Sequence, residues 1–165
     1  MFLGLWLEKV TGRKLHIWLG ECHVHAGIRP PDIEAARARF GGDEVALLVH
    51  PECGCASQCM TMAAEGEIQD VHILSTEGMV NFAQKRREQR DFLIATETGI
   101  LHRLRKELPD QEFHAVSERA VCRYMKMITL ENARDALRDL QPQVTVPVDV
   151  AARARLAIER MVAIA

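Results

Sequence analysis

The most telling stretch of the hydropathy pattern is 45–49, where Val45-Ala46-Leu47-Leu48-Val49 runs without interruption into His50-Pro51-Glu52-Cys53. An unbroken apolar run of this length suits a strand buried on both faces, as in a parallel sheet covered by helices. Pro51 has no amide hydrogen and cannot continue a central strand, so His50 and Glu52 fall at the strand's carboxyl end. In open α/β sheets that edge is where ligands bind.

The rest of the pattern repeats strand and helix. A dense apolar helix over 2–10, closed by Thr11-Gly12, is followed by a predicted short strand over 14–19 that would put Cys22 at a strand's carboxyl end. Residues 2–10 have nothing before them to pack against, and the face around Leu5 and Trp6 predicts self-association or a partner chain. Pro30-Pro31, acidic Asp32 and Glu34, and Gly41-Gly42 mark the start and stop of the next helix. Residues 53–70 read as a loop with one helical turn around 60–65. Two segments, 71–80 and 92–101, then read alike: strand, a turn carrying Thr-Glu and a glycine, helix. Ile100, Leu104 and Leu108 share a helix face, 112–116 reads as a strand, and Cys122 again follows it. Two amphipathic helices end the chain, one with Leu130, Ala133, Leu137 and Leu140 after the cap Thr129. The other carries Val150, Ala154, Ala157, Ile158 and Met161 after Pro147. Strand–helix alternation of this kind predicts an α/β fold.

Composition narrows the classes. At 165 residues and 48% hydrophobic content the chain can build one real core. A net charge of −2 gives no basic surplus for nucleic acid, no run approaches the ~18 apolar residues of a membrane span, and Glu8-Lys9 cut short any signal core. The expectation is a cytoplasmic protein that binds neither nucleic acid nor membrane. Five cysteines, an odd number, argue for thiolate chemistry or metal binding over a disulfide framework, with buried inert thiols as the plainer reading.

The candidate chemistry has two parts. Ser75-Thr76 and Thr96 sit in strand-to-helix turns that present hydroxyls and free amides, which suit a phosphate or carboxylate but equally serve as plain helix caps. The cluster His102, Arg103, Arg105 and Lys106 reads as a solvated helix face. For the cysteines, a local reading groups Cys53, Cys55 and Cys59, three thiols whose spacing matches neither a zinc ribbon nor a ferredoxin. A distant reading pairs Cys22 with Cys122, each expected near the edge that carries His50 and Glu52.

Five motifs in order, Gly20-Glu21-Cys22-His23-Val24-His25, His50-Pro51-Glu52-Cys53-Gly54-Cys55, Leu74-Ser75-Thr76-Glu77-Gly78-Met79, the stretch 95–107 beginning Ala95-Thr96-Glu97-Thr98-Gly99, and the stretch 122–130 beginning Cys122-Arg123-Tyr124, resemble quinolinate synthase through essentially the whole chain. The resemblance implies three αβα units with short parallel sheets about a pseudo-threefold axis, each donating one cysteine to a [4Fe-4S] cluster. It implies condensation of iminoaspartate with dihydroxyacetone phosphate to quinolinate for NAD biosynthesis, with L-aspartate oxidase or aspartate dehydrogenase upstream as the source of iminoaspartate. Cys22 and Cys122 match the second and third cluster ligands, His50 and Glu52 the active-site His-Pro-Glu motif, and Ser75 and Thr76 the Ser-Thr motif that binds anionic groups. His25 matches a recurring histidine, without an assigned role. In this reading 1–25 is the tail of the second unit, 26–125 the third unit and 126–165 carboxyl-terminal helices. The chain has about half the family's expected length, so the first unit, its cysteine and the front of the second unit are expected to be missing, or on a separate amino-terminal chain. Leu74 stands where many relatives have glycine. The alternative is a non-catalytic metal- or redox-binding module built on Cys53, Cys55 and Cys59.

Overall fold

The computed structural model describes residues 1–56, 58, 59, 62 and 68–164. Four strands, β1 Ala46–Val49, β2 Val71–Ile73, β3 Asp91–Ala95 and β4 Glu112–Ala115, form one sheet in the order β2-β1-β3-β4, parallel throughout. The register sets Leu47 beside Val71 and Leu93, and Val49 beside Ile73 and Ala95. The α-helices among the described residues include α1 Phe2–Thr11, α2 His23–Ala26, α3 Pro30–Phe40, α4 Thr76–Lys85, α5 Ile100–Glu107, α6 Leu130–Asp139 and α7 Val148–Val162.

The layers follow from strand alternation. Ala46, Leu48, Phe92, Ile94 and Phe113 face Met79, Val80 and Ala83 of α4 and Leu101 and Leu104 of α5. The intervening Leu47, Val49, Leu93 and Ala95 face Val24 of α2 and Ile33 and Ala36 of α3. Because both faces are covered, β1 is buried at every position, as its continuous apolar sequence requires. This is the expected α/β class, a four-stranded parallel sheet flanked by helices.

Local chemistry sets the helix ends. The Asp32 carboxylate accepts the Arg29 amide at 2.9 Å, Pro30 occupies the first helical position of α3, and Gly41 closes the helix at φ 119°, where an L side chain would be strained. Ser75 Oγ accepts the Gly78 amide at 3.1 Å and caps α4.

One expected element is absent. Residues 13–22 form no strand, so neither Cys22 nor Cys122 directly follows one: Cys22 immediately precedes α2, and Cys122 lies beyond a turn after β4. Part of the backbone of 13–22 is bonded to the segment before it, with the Leu15 amide donating to Glu8 Oε1 at 2.6 Å and the amino terminus to the Gly20 carbonyl. Ile17 packs against Gly4 of α1, where a Cβ would lie 3.1 Å from Ile17 Cγ1. The helix α1 itself buries none of its residues fully, and Leu5 is exposed. The helical turn expected over 60–65 lies largely outside the described residues.

The chain divides into two compact units, Met1–Cys122 and Arg123–Ala165. The first holds the sheet. The second holds α6, whose Thr129 and Asn132 form a reciprocal cap, and α7. Among the described residues no helix is long and apolar enough to cross a membrane.

Candidate functional site

Strand order determines where a ligand can reach the sheet. From β1 the chain passes to β2 on one side, and from β3 to β4 on the other, so the crevice opens at the carboxyl ends of β1 and β3. His50 and Glu52 end β1; Thr96 and Glu97 end β3.

The turn after β1 is tightly held. The His50 amide donates to the Ala95 carbonyl at 3.1 Å, and the Cys53 amide to the His50 carbonyl at 2.9 Å. The Glu52 amide donates to His50 Nδ1 at 3.3 Å. That bond needs Nδ1 as an acceptor, so the neutral ring carries its proton on Nε2.

The short helix α2 brings a second histidine to the crevice. Its Val24 is buried in the core while the His25 ring stacks on His50, with centroids 4.5 Å apart and planes 22° apart. His25 Nε2 shares a 2.8 Å hydrogen bond with Oγ1 of the buried Thr96, 71 positions away in the chain. The Gly54 amide donates to the His25 carbonyl at 3.1 Å. A Cβ on Gly54 would meet the Ala26 carbonyl oxygen at 3.0 Å, so this close approach of loop to helix needs a glycine. One ligand atom each from Cys22, His25 and Glu52 lie within 4.8 Å of one another.

Burial lowers the pKa of both imidazoles. For His25 the carboxylates of Glu52 and Glu97 oppose that effect. For His50 the neighbouring His25 adds to it and Glu52 opposes it. Both rings are therefore predominantly neutral at pH 7, each able to donate from one nitrogen and accept at the other. A cavity of about 580 Å³, bounded by α1 and residues 15–18 and 20–22, reaches Cys22 and Glu52.

On the β3 side, the nearly buried Glu97 accepts the Gly99 amide at 2.7 Å and the Cys122 amide at 3.1 Å. The Thr98 amide donates to the Ala120 carbonyl at 2.9 Å. The segment ending at Cys122 is thus tied to the end of β3.

The predicted residues are distributed as follows. Cys22, His50 and Glu52 converge, joined by His25. Cys122 is anchored at the end of the neighbouring strand β3. Ser75 and Thr76 end β2, held next to β1 by the Leu74 amide bond to the Val49 carbonyl at 2.9 Å, and both are exposed. Sequence reasoning placed Thr96 in a turn suited to an anion or a helix cap without pairing it with His25, singled out no role for Glu97, and left His25 without a role. The available signal was that Thr96-Glu97 ends its strand as His50 and Glu52 end theirs.

The donor set discriminates among the cysteines. Cys22 and Cys122 are free thiols, half-buried. Cys53 and Cys55 are joined as a disulfide and fully buried. Burial pushes the Cys59 thiol up to about 11, whereas metal ligation needs the thiolate. Cys22 and Cys122 are thus the free thiols that are not fully buried.

Residues 1–163 match the family described as Quinolinate synthetase A protein. The chain is 50% identical over 164 residues to a protein of Thermus thermophilus named quinolinate synthase, covering 99% of this chain and 50% of the relative. Proteins of the same name from Pyrobaculum aerophilum and Mycobacterium tuberculosis are each 46% identical, over 97% and 99% of this chain and 51% and 47% of theirs. The chain spans about half the length of the curated relatives it matches.

Proposed function

The chain belongs to the quinolinate synthetase A family, and from that premise we propose that it supplies the carboxyl-terminal portion of a quinolinate synthase. The reaction is the condensation of iminoaspartate with dihydroxyacetone phosphate, with loss of phosphate and water, in cytoplasmic NAD biosynthesis. The imine is unstable in water, so L-aspartate oxidase or aspartate dehydrogenase would act directly upstream.

The observation that supports this most is the convergence of Cys22, His25, Glu52 and His50 on the β1–β3 crevice, with Cys122 anchored at the same strand ends. Cys22 and Cys122 would hold two irons of a [4Fe-4S] cluster. When bound, that cluster supplies a Lewis acid for a substrate oxygen. The remaining thiolate would come from the rest of the family's architecture, on the same polypeptide or on a separate amino-terminal chain.

The chain's own groups divide the proton work. Glu52 is the general base, a carboxylate beside a cavity large enough for a small substrate. Nε2–H of His50 donates to a substrate oxygen, its orientation set by the Glu52 amide at Nδ1 and by the stacked His25 ring. Ser75 and Thr76, with the free amides that open α4, bind the substrates' anionic groups.

The competing module built on Cys53, Cys55 and Cys59 has the buried disulfide and the suppressed Cys59 thiolate against it as a metal site. One experiment tests both readings. Iron and sulfide per chain are measured after anaerobic reconstitution, on the chain alone and mixed with the amino-terminal half of the Thermus relative, followed by a quinolinate assay. Activity in the mixture, abolished by Cys22→Ser or Cys122→Ser and retained with Cys53, Cys55 and Cys59 replaced, is the expected result. Iron lost with those three cysteines and kept without Cys22 and Cys122 would overturn the assignment.

A further inference from the structure

Glu97 is a carboxylate only 8% exposed at the end of the central strand β3. A carboxylate in such a place must be well bound. Its two oxygens go to two different elements. Oε2 accepts the Gly99 amide at 2.7 Å, where α5 begins, and Oε1 accepts the Cys122 amide at 3.1 Å. A helix-capping role explains the first bond and leaves the second unexplained. The second is the informative one, because it reaches across to the segment after β4, where Val121 is exposed and Cys122 is half-buried against the core.

We infer that Glu97 is a positioning residue: it fixes the backbone of Cys122 against the end of β3 and so sets where that thiol is offered to an iron–sulfur group. The inference rests on the reading of Cys122 as a cluster ligand. A parallel link strengthens the geometry, since the Thr98 amide bonds the Ala120 carbonyl. Two hydrogen bonds then join 97–98 to 120–122 much as a strand pair would, with a carboxylate in place of one carbonyl. The adjacent Thr96 holds His25, so one dipeptide at the end of β3 braces a histidine next to Cys22 and the backbone of Cys122.

The test uses Glu97→Gln in the reduced, metal-free chain. A glutamine offers one acceptor oxygen and an NH₂ group. The shorter bond to Gly99 retains the oxygen, so the NH₂ faces the Cys122 amide and that bond is lost. Amide hydrogen exchange at Cys122 should rise about tenfold or more over the wild-type chain, as expected when a local bond opens without global unfolding. Alkylation of Cys122 by iodoacetamide should change several-fold relative to Cys22 in the same sample. Cys59, 1% exposed, should stay protected and thereby report an intact fold.

Unchanged exchange and alkylation at Cys122, or a parallel rise at Cys59, would overturn the positioning role. Failure of the underlying ligand reading has a separate signature: Cys122→Ser would keep the wild-type iron content in the reconstituted mixture. Iron lost in Cys122→Ser together with an unaltered Cys122 amide in Glu97→Gln would keep the ligand and sink the positioning role.

Discussion

Replacing Thr96 by valine tests the crevice at its most buried polar contact. Valine preserves the shape of threonine and removes only the hydroxyl. Thr96 is 3% exposed, and its Oγ1 is the partner of His25 Nε2 at 2.8 Å. His25 Nδ1 is itself buried with no partner among the described residues, so the variant ring keeps no hydrogen bond there. Stranding a fully buried polar atom costs about 1–3 kcal/mol. The ring is only half-buried and water can repay part of that, which leaves about 1 kcal/mol. For a chain of this size that is a fall of roughly 2–4 °C in Tm. Both tryptophans, Trp6 and Trp18, lie in the unit that holds the sheet, so a urea titration followed by their fluorescence reads that unit alone. In the same samples, the ¹⁵N shift of His25 Nε2 should move from its wild-type value as that nitrogen loses its hydrogen-bond partner. In the reconstituted mixture, a ring free to turn away from His50 should lower kcat/KM about tenfold, equivalent to about 1.4 kcal/mol. Thr96→Ser should restore both properties. A Thr96→Val protein with unchanged urea midpoint and unchanged His25 shifts would refute the claim that this bond orients the ring.

Other expectations can be checked in the same preparations. Ser75→Ala should cost about 1 kcal/mol through loss of the α4 cap, whereas Thr76→Ala should leave the urea midpoint nearly unchanged and raise KM. With its thiol pushed up to about 11, Cys59 should be alkylated at pH 8 about a hundredfold more slowly than a small reference thiol; equal rates would contradict its burial. Burial works to raise the Asp70 carboxyl, but hydrogen bonds from His72 and Arg86 outweigh it and hold the group below its ordinary value of 3.8. Its stabilising contribution is therefore complete above 3.8 and lost as pH falls through the lower folded value. Asp70→Asn, which suits the left-handed backbone at φ 52°, should flatten the acid limb of the unfolding curve, and an unchanged limb would show that the pair contributes nothing.

The fold was legible where one local signal decided it. A strand buried on both faces needs a continuous apolar run, and 45–49 supplied one that Pro51 had to end. The helix at Pro30–Phe40 carried its own start and stop residues. The segment 14–19 misled because Leu15, Ile17 and Leu19 alternate as a strand's residues do, while strand formation depends on a free edge to pair with. Here α1 takes Ile17, Glu8 takes the Leu15 amide, and Trp18 and Leu19 are left exposed. Nothing in the alternation itself separates those two outcomes.

The site divides along the same line. His50 and Glu52 were legible because a proline that ends a central strand places its neighbours at the ligand-binding edge, whatever surrounds them. Thr96, Glu97 and His25 belong to the same crevice through the parallel register that sets Val49 beside Ala95, and register is a property of pairing between strands. Once β1 and β3 are known to be adjacent and parallel, the residues that follow them must stand side by side. A hydroxyl and a carboxylate after one strand then face a histidine and a carboxylate after the other. The cysteines sort by the same logic: Cys53, Cys55 and Cys59, close in sequence, are turned into the core behind the strand end, while Cys22 and Cys122, far apart in sequence, remain free at the two elements that the crevice residues grip. Proximity along the chain says little about which groups share this edge, because the crevice is assembled across strands.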